Sequence, residues 1–145
     1  MMRAWRMPVA LVACGAVVAG GSAAGGNPAL AAAEAVVFAA LAWLTSPLLF
    51  PRPVGAAEAQ RRSAADGRPV VYWRPGCAYC LRLRLRLGRG GRRLHWVDIW
   101  RDPQGAAAVR AANDGDETVP TVVVAGRAYT NPDPRWVREQ VAAGR

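Results

Sequence analysis

The sequence predicts an α/β domain of β-α-β-α-β-β-α order over residues 68–145, preceded by two apolar helices of membrane-spanning length. Three observations carry this reading. Charge is sorted along the chain, with Arg3, Arg6 and Glu34 the only charged residues among the first fifty. Beyond residue 67, short β-branched and aromatic runs alternate with helix-start signals. A Cys-x-x-Cys pair, Cys77 and Cys80, stands where the first of those runs gives way to a helix.

The averages conceal this sorting. The 145 residues are 52% hydrophobic and carry a net charge of +9. All 19 basic residues are Arg. The length suits one ordinary domain. A disordered basic tail is excluded, because the Arg residues are spread among apolar ones rather than massed.

Residues 7–24 contain no charge, and residues 29–50 contain only Glu34. About 20 apolar residues in helix cross the hydrocarbon of a bilayer. Gly25-Gly26-Asn27-Pro28 between them are turn formers. Residues 1–50 thus read as a two-helix membrane hairpin. A second reading of the first stretch is a cleaved leader, with Arg3 and Arg6 as its basic region and Ser22-Ala23-Ala24 as its cleavage site. Arg3 and Arg6 precede the first stretch, Arg52, Arg61 and Arg62 follow the second, and the connection has no basic residue. The positive-inside rule then places the C-terminal domain in the cytoplasm of a cell whose inner membrane holds the hairpin. Cys14, within the first stretch, reads as a small buried hydrophobe.

Residues 51–67, with Pro51, Pro53, Gly55 and Gly67, read as a linker carrying one short helical turn. In the domain, 70–73 is a buried strand. A helix is expected from Cys77, a second strand over 94–99, and a second helix from Pro103, capped by Asp102, to Ala112. Strands over 121–124 and 127–130 flank the turn Ala125-Gly126, and Asp133-Pro134 opens a last helix to Ala143. Residues 81–87 alternate Leu and Arg without a break, which by period alone is a strand. Leu and Arg are good helix formers, and a strand here would leave the cysteine pair without a helix N-terminus, so a helix is expected.

Cys77-Ala78-Tyr79-Cys80 carries the chemistry. Two intervening residues bring both sulfurs onto the first turn of a helix. A sulfur at the N-terminus meets unpaired backbone N–H groups and the positive end of the helix dipole. Its thiolate, the nucleophilic form, is favoured there. Arg74 and Arg82 add positive charge nearby. Cys80, one turn in, is placed to attack a mixed disulfide formed at Cys77. Structural zinc would require two more ligands, and the domain offers only His95. No metal is therefore expected within one chain.

Val71-Tyr72-Trp73-Arg74-Pro75-Gly76-Cys77-Ala78-Tyr79-Cys80 resembles the active-site strand and helix start of glutaredoxins. Thr118-Val119-Pro120 resembles their Thr-Val-Pro loop. Through Thr118-Val119-Pro120-Thr121-Val122 followed by Thr130-Asn131-Pro132, the chain is most similar to mycoredoxins within that family. The resemblance spans about residues 69–143 and implies a thioredoxin-like fold. It implies that Cys77 is the attacking thiol, Cys80 the second thiol, and Pro120 a cis-proline. It implies that Tyr79, Thr118, Val119, Pro120 and Asn131 bind substrate, with Val119 offering its backbone to the substrate's cysteine. It implies no bound cofactor and a low-molecular-weight thiol as co-substrate. The Gly-Gly pair that glutathione-dependent members carry after the third and fourth strands is replaced by Thr130-Asn131-Pro132-Asp133, which favours mycothiol over glutathione. Ala78 stands where many relatives have Pro or Gly.

The expected activity is therefore membrane-anchored thiol–disulfide exchange on mycothiol mixed disulfides or protein disulfides. Two alternatives share the cysteines: a dithiol electron donor fed by a flavin reductase, and a metal or iron–sulfur module built by two chains. The remaining features have plain readings. His95 faces solvent or a carbonyl. Trp73, Trp96 and Trp100 are core or rim aromatics, and Trp136 docks the last helix. The Arg residues at 82, 84, 86, 89, 92 and 93 form a solvated helix face with attraction to the inner leaflet or to anionic substrates. No nucleic-acid partner is expected, since no helix-turn-helix, RNA-binding motif or aromatic stacking platform accompanies them. Asn113-Asp114-Gly115-Asp116-Glu117 is an acidic loop without the full calcium-binding pattern.

Overall fold

The computed structural model describes residues 2–143, so the last two residues of the 68–145 range lie outside the described residues, as do the side chains of residues 2–4 and 47. The chain divides into two compact units, Met1–Leu49 and Phe50–Arg145.

The first unit is a helical hairpin. Helix α1 is Met2–Ala24 and helix α2 is Pro28–Thr45. Their apolar stretches, Trp5–Ala24 and Pro28–Thr45, are each long enough to cross a membrane. Gly26 adopts φ +82 in the turn, and the N–H of Asn27 closes on the carbonyl of Ser22. Pro28 then occupies the first turn of α2, where its missing N–H costs nothing. The helices meet at Gly15, where a Cβ would stand 2.5 Å from that of Phe38. Val9, Val17, Val36 and Trp43 point outward.

The second apolar stretch ends sooner than its composition suggests. Helix α2 stops at Thr45, ahead of Pro47 and a short 3₁₀ turn, Pro47–Leu49. Phe50, at the end of the 29–50 stretch, belongs to the second unit. Its ring stacks on Trp73 at 3.8 Å and meets the edge of Trp96 at 5.6 Å.

The second unit holds a four-stranded sheet in the order β2-β1-β3-β4. Strand β1 is Val70–Trp73, β2 His95–Asp98, β3 Thr121–Val124 and β4 Arg127–Thr130. Strands β1 and β2 are parallel, with Val71 opposite Trp96. The other two pairs are antiparallel. Helix α4 is Ala78–Leu87, followed by a 3₁₀ segment, Gly88–Arg93. Helices α5, Pro103–Ala112, and α6, Pro134–Ala143, complete the expected order.

The segment 51–67 is not a linker. Its helix α3, Ala56–Asp66, buries Ala56 and Ala59 in the domain core. The Val54 N–H donates to the Trp96 carbonyl at 2.9 Å, adding a backbone contact at β2. Asp102 explains why the segment stays. One carboxylate oxygen accepts the N–H groups of Gln104 and Gly105 at the start of α5, and the other accepts the Ala56 N–H at 2.5 Å. One residue thus caps α5 and holds the start of α3. Both helices lie on the sheet face of Tyr72, whose hydroxyl accepts from Gln60. Gly105 permits the approach of α5, since a Cβ there would stand 2.7 Å from Val97 Cγ1.

The alternating 81–87 segment is helical because tertiary packing takes one stripe of it. Cys80, Leu83 and Leu87 are buried. Leu85 is left 53% exposed. His95 departs from its expected role: it is buried, and its Nε2 pairs with the Asp66 carboxylate at 3.0 Å. This contact fixes the end of α3 to β2. Trp73 and Trp96 lie in the core, Trp100 is exposed, and Trp136 leans on Tyr129 at 4.5 Å.

Candidate active site

Strand β1 ends at Trp73, and Gly76, at φ +76, turns the chain into α4. Cys77 is the N-cap of that helix. Its sulfur accepts the Cys80 N–H at 3.2 Å. It therefore occupies the place a serine or aspartate oxygen takes in other helices, facing the positive end of the backbone dipole. On its other side the thiol lies 3.4 Å from the Val119 carbonyl, to which it donates when protonated.

These contacts separate the two cysteines. The Cys80 thiol beside it is the largest influence holding the Cys77 thiol down to about 6. Burial opposes this, while the N–H groups of Cys80 and Tyr79 and the charge of Arg74 assist. Cys80 is fully buried, and its thiol is pushed well above its ordinary range by its bond to Cys77, by burial and by the Cys77 charge. One sulfur is thus a half-exposed thiolate at neutral pH and the other a buried thiol.

The Val119–Pro120 peptide is cis. Val119 and Pro120 are buried, and Thr118 is exposed. The loop is anchored from both sides. The Thr118 carbonyl accepts from the Thr121 hydroxyl, and the Pro120 carbonyl accepts the Asn131 N–H at 2.7 Å. Asn131 adopts φ 46, a left-handed conformation that Asn tolerates better than most residues. Tyr79, Arg82, Asn131 and Asp133 share a cavity of about 190 Å³ with Pro132 and Pro134. The structure therefore brings Cys77, Cys80, Val119 and Pro120 together, and gathers Tyr79 and Asn131 at a neighbouring cavity. Arg74 contributes to the electrostatics of Cys77, while Arg82 lines that cavity.

Two positioning residues escaped the sequence reading. Asn113 donates to the Val109 carbonyl and to the Thr121 hydroxyl, and accepts from Thr130. It ties α5 to β3 and β4 just behind the cis-proline. Glu117 accepts from Arg74 through its carbonyl and pairs with Arg110 at 2.5 Å through its carboxylate. Both lie in the acidic loop. Their signal was position, within the five residues ahead of Thr118, rather than charge pattern.

Comparison with known proteins supports the same assignment. The glutaredoxin family profile matches residues 70–129. Two Mycobacterium tuberculosis proteins, each bearing the name "Putative glutaredoxin" and coming from different strains, are 36% identical over 73 residues. The match covers 50% of this chain and 87% of each relative.

The chain belongs to the glutaredoxin family.

As a glutaredoxin it is a thiol–disulfide oxidoreductase with a thioredoxin-like fold. Members of this family use low-molecular-weight thiols and protein disulfides and need no prosthetic group. The two apolar N-terminal helices are an addition outside the matched region.

Proposed function

We propose that this glutaredoxin is a membrane-anchored enzyme that reduces mixed disulfides between mycothiol and protein cysteines through Cys77. The observation that carries the proposal is the Cys77 sulfur, held as a thiolate at the N-terminus of α4 and 3.4 Å from the carbonyl preceding a cis-proline. In the first step that thiolate attacks the mycothiol sulfur of the mixed disulfide. The protein sulfur leaves as a thiolate and takes a proton from water, and Cys77 becomes bonded to mycothiol. A second mycothiol thiolate then attacks the Cys77-bound sulfur, releasing oxidised mycothiol and restoring the Cys77 thiolate. The two mycothiols supply both electrons.

Tyr79, Thr118, Val119, Pro120 and Asn131 are proposed to hold the substrate. Val119 supplies backbone hydrogen bonds to the substrate segment, and Tyr79 and Asn131 flank the thiol-bound group at the cavity they share. Thr130-Asn131-Pro132-Asp133 stands where glutathione-dependent relatives carry a Gly-Gly pair, which supports mycothiol rather than glutathione. The hairpin is read as spanning the inner membrane twice, with the redox domain in the cytoplasm. Arg6, near the start of α1 and ahead of its uncharged stretch, and Arg52, Arg61 and Arg62 after α2 support that orientation.

The test is reduction of one peptide carrying either mycothiol or glutathione in mixed disulfide, by the full chain in nanodiscs. Turnover with mycothiol, kept in Cys80→Ser, supports the reading. Preference for glutathione overturns the choice of thiol, loss in Cys80→Ser favours a dithiol route, and absence of turnover with both peptides overturns the activity. Labelling Cys77 in whole cells with a membrane-impermeant maleimide tests orientation: protection until lysis is expected, and labelling of intact cells contradicts a cytoplasmic domain.

A further inference from the structure

Packing leaves one part of the Leu/Arg alternation outside the domain. Leu83 and Leu87 are buried, but Leu85 is 53% exposed, between Arg86 and, one turn on, Arg89. Where α4 ends, Arg89 and Arg93 of the 3₁₀ segment and Arg138 of α6 surround a depression of about 400 Å³ floored by Leu87 and Val141. The charge here has one sign. No acidic residue occurs between Asp66 and Asp98, and Glu139 is the only one in α6. None of Arg86, Arg89, Arg93 and Arg138 is in an ion pair among the described residues.

Guanidinium groups around an apolar floor, with an exposed leucine in the last turn of the same helix, match the chemistry of a phospholipid surface. Phosphate groups pair with Arg, and the apolar side chains enter the headgroup boundary. A second observation concerns where the chain enters the domain. Phe50, where the chain leaves the apolar helices and enters the domain, lies against Trp96, and the Trp96 indole donates to the Gly91 carbonyl at 2.6 Å. Gly91 belongs to the same 3₁₀ segment as Arg89 and Arg93. The chain thus joins the domain beside its basic end.

We propose that Leu85, Arg86, Arg89, Arg93 and Arg138 form a docking surface for an anionic bilayer, which holds the redox domain against the membrane in one orientation. Cys77 lies at the opposite end of α4, about 15 Å away along a helix of ten residues. Docking by the basic end therefore turns the reactive thiol away from the bilayer, toward soluble substrates. The proposal rests on the membrane-anchored reading above, and its test separates the two.

The full chain is placed in nanodiscs of phosphatidylglycerol or of phosphatidylcholine, and amide exchange is followed over residues 84–93 and 138–142. Protection about tenfold greater in phosphatidylglycerol is expected, lost in 1 M salt and in the triple variant Arg89→Ser/Arg93→Ser/Arg138→Ser. Unchanged mixed-disulfide turnover of that variant in detergent shows that it folds, and Leu85→Ser gives a milder loss if the triple variant does not. Equal exchange in the two lipids overturns the proposal, including the case of an acidic protein partner, which the assay lacks. Equal protection by inorganic phosphate added to phosphatidylcholine nanodiscs overturns it in favour of a small-anion site. If the chain enters neither kind of nanodisc, the spanning reading fails. Docking is then read from sedimentation with phosphatidylglycerol vesicles: salt-sensitive, Arg-dependent binding supports it and no binding overturns it.

Discussion

Helix α4 has two unlike ends. At its start a sulfur serves as the N-cap and is held as a thiolate by the neighbouring Cys80 thiol, by backbone N–H groups and by Arg74. In its last turn stand Arg84 and Arg86, with Arg89, Arg92 and Arg93 just beyond. The backbone dipole favours both arrangements, an anion at the N-terminus and cations at the C-terminus. The comparison teaches that a single helix of modest length separates chemistry from surface charge. The +9 of the sequence does not converge on the thiol. Arg74 is the charge that bears on Cys77 among the described residues, while Arg84, Arg86, Arg89, Arg92 and Arg93 cluster at the far end.

The most severe way to break the comparison is to remove the sulfur. Cys77→Ser should abolish mixed-disulfide reduction while leaving the thermal melting temperature nearly unchanged, because a serine oxygen can still cap α4. Residual turnover at the wild-type rate would mean that the chemistry lies elsewhere.

A second test attacks the scaffold that supports both ends. Asp102→Ala removes the cap of α5 and the acceptor of the Ala56 N–H, at a cost of about 2 kcal/mol in urea unfolding. The sign with pH follows from the carboxyl itself. Burial resists its charge, but the N–H groups of Ala56, Gly105 and Gln104 hold it below its ordinary 3.8. Its contribution is present above the unfolded value and is lost as pH falls through the lower folded value. The stability difference between wild type and variant should therefore shrink below about pH 4. A constant difference across that range would contradict the double cap.

Gly105→Ala should cost about 1–2 kcal/mol by pressing a methyl against Val97. A neutral result would mean that α5 sits farther from the sheet.

Much of this was legible in the sequence, for physical reasons. The domain's element order followed from β-branched runs and from Asp-Pro helix starts, which are local signals. The thiol pair was legible because its spacing and its strand-to-helix setting occur together. What escaped depends on long-range contacts. Helix α3 buries only Ala56 and Ala59, and its other residues are polar or exposed alanines, so nothing local distinguishes it from a linker; its anchor, Asp102, is 46 residues away. Phe50 is apolar among apolar residues, and only its stacking on Trp73 shows where the hairpin ends. His95 gave no sign of its partner Asp66, which lies 29 residues earlier. The acidic loop was read by its charge, whereas Asn113 and Glu117 act through hydrogen bonds to β3, β4, Arg74 and Arg110 around the Thr118-Val119-Pro120 segment.

The smallest expected change sharpens the comparison most. Cys80→Ala removes the largest influence on the Cys77 thiolate, while the backbone N–H groups and Arg74 remain. Its Cys77 should titrate higher than in the wild type, yet still below 9.0, the ordinary value for a cysteine thiol. A shift downward would contradict the role given to the Cys80 thiol.

The central claim is that Cys77, capping α4 beside the Cys80 thiol, is a thiolate at neutral pH. The direct measurement is the rate of Cys77 alkylation by iodoacetamide against pH, read by mass spectrometry on the full chain in detergent. The predicted curve is flat above pH 7 and falls about tenfold per unit below a midpoint near 6. A midpoint near 9 would contradict the account, because the thiol at the start of α4 would then be an ordinary cysteine.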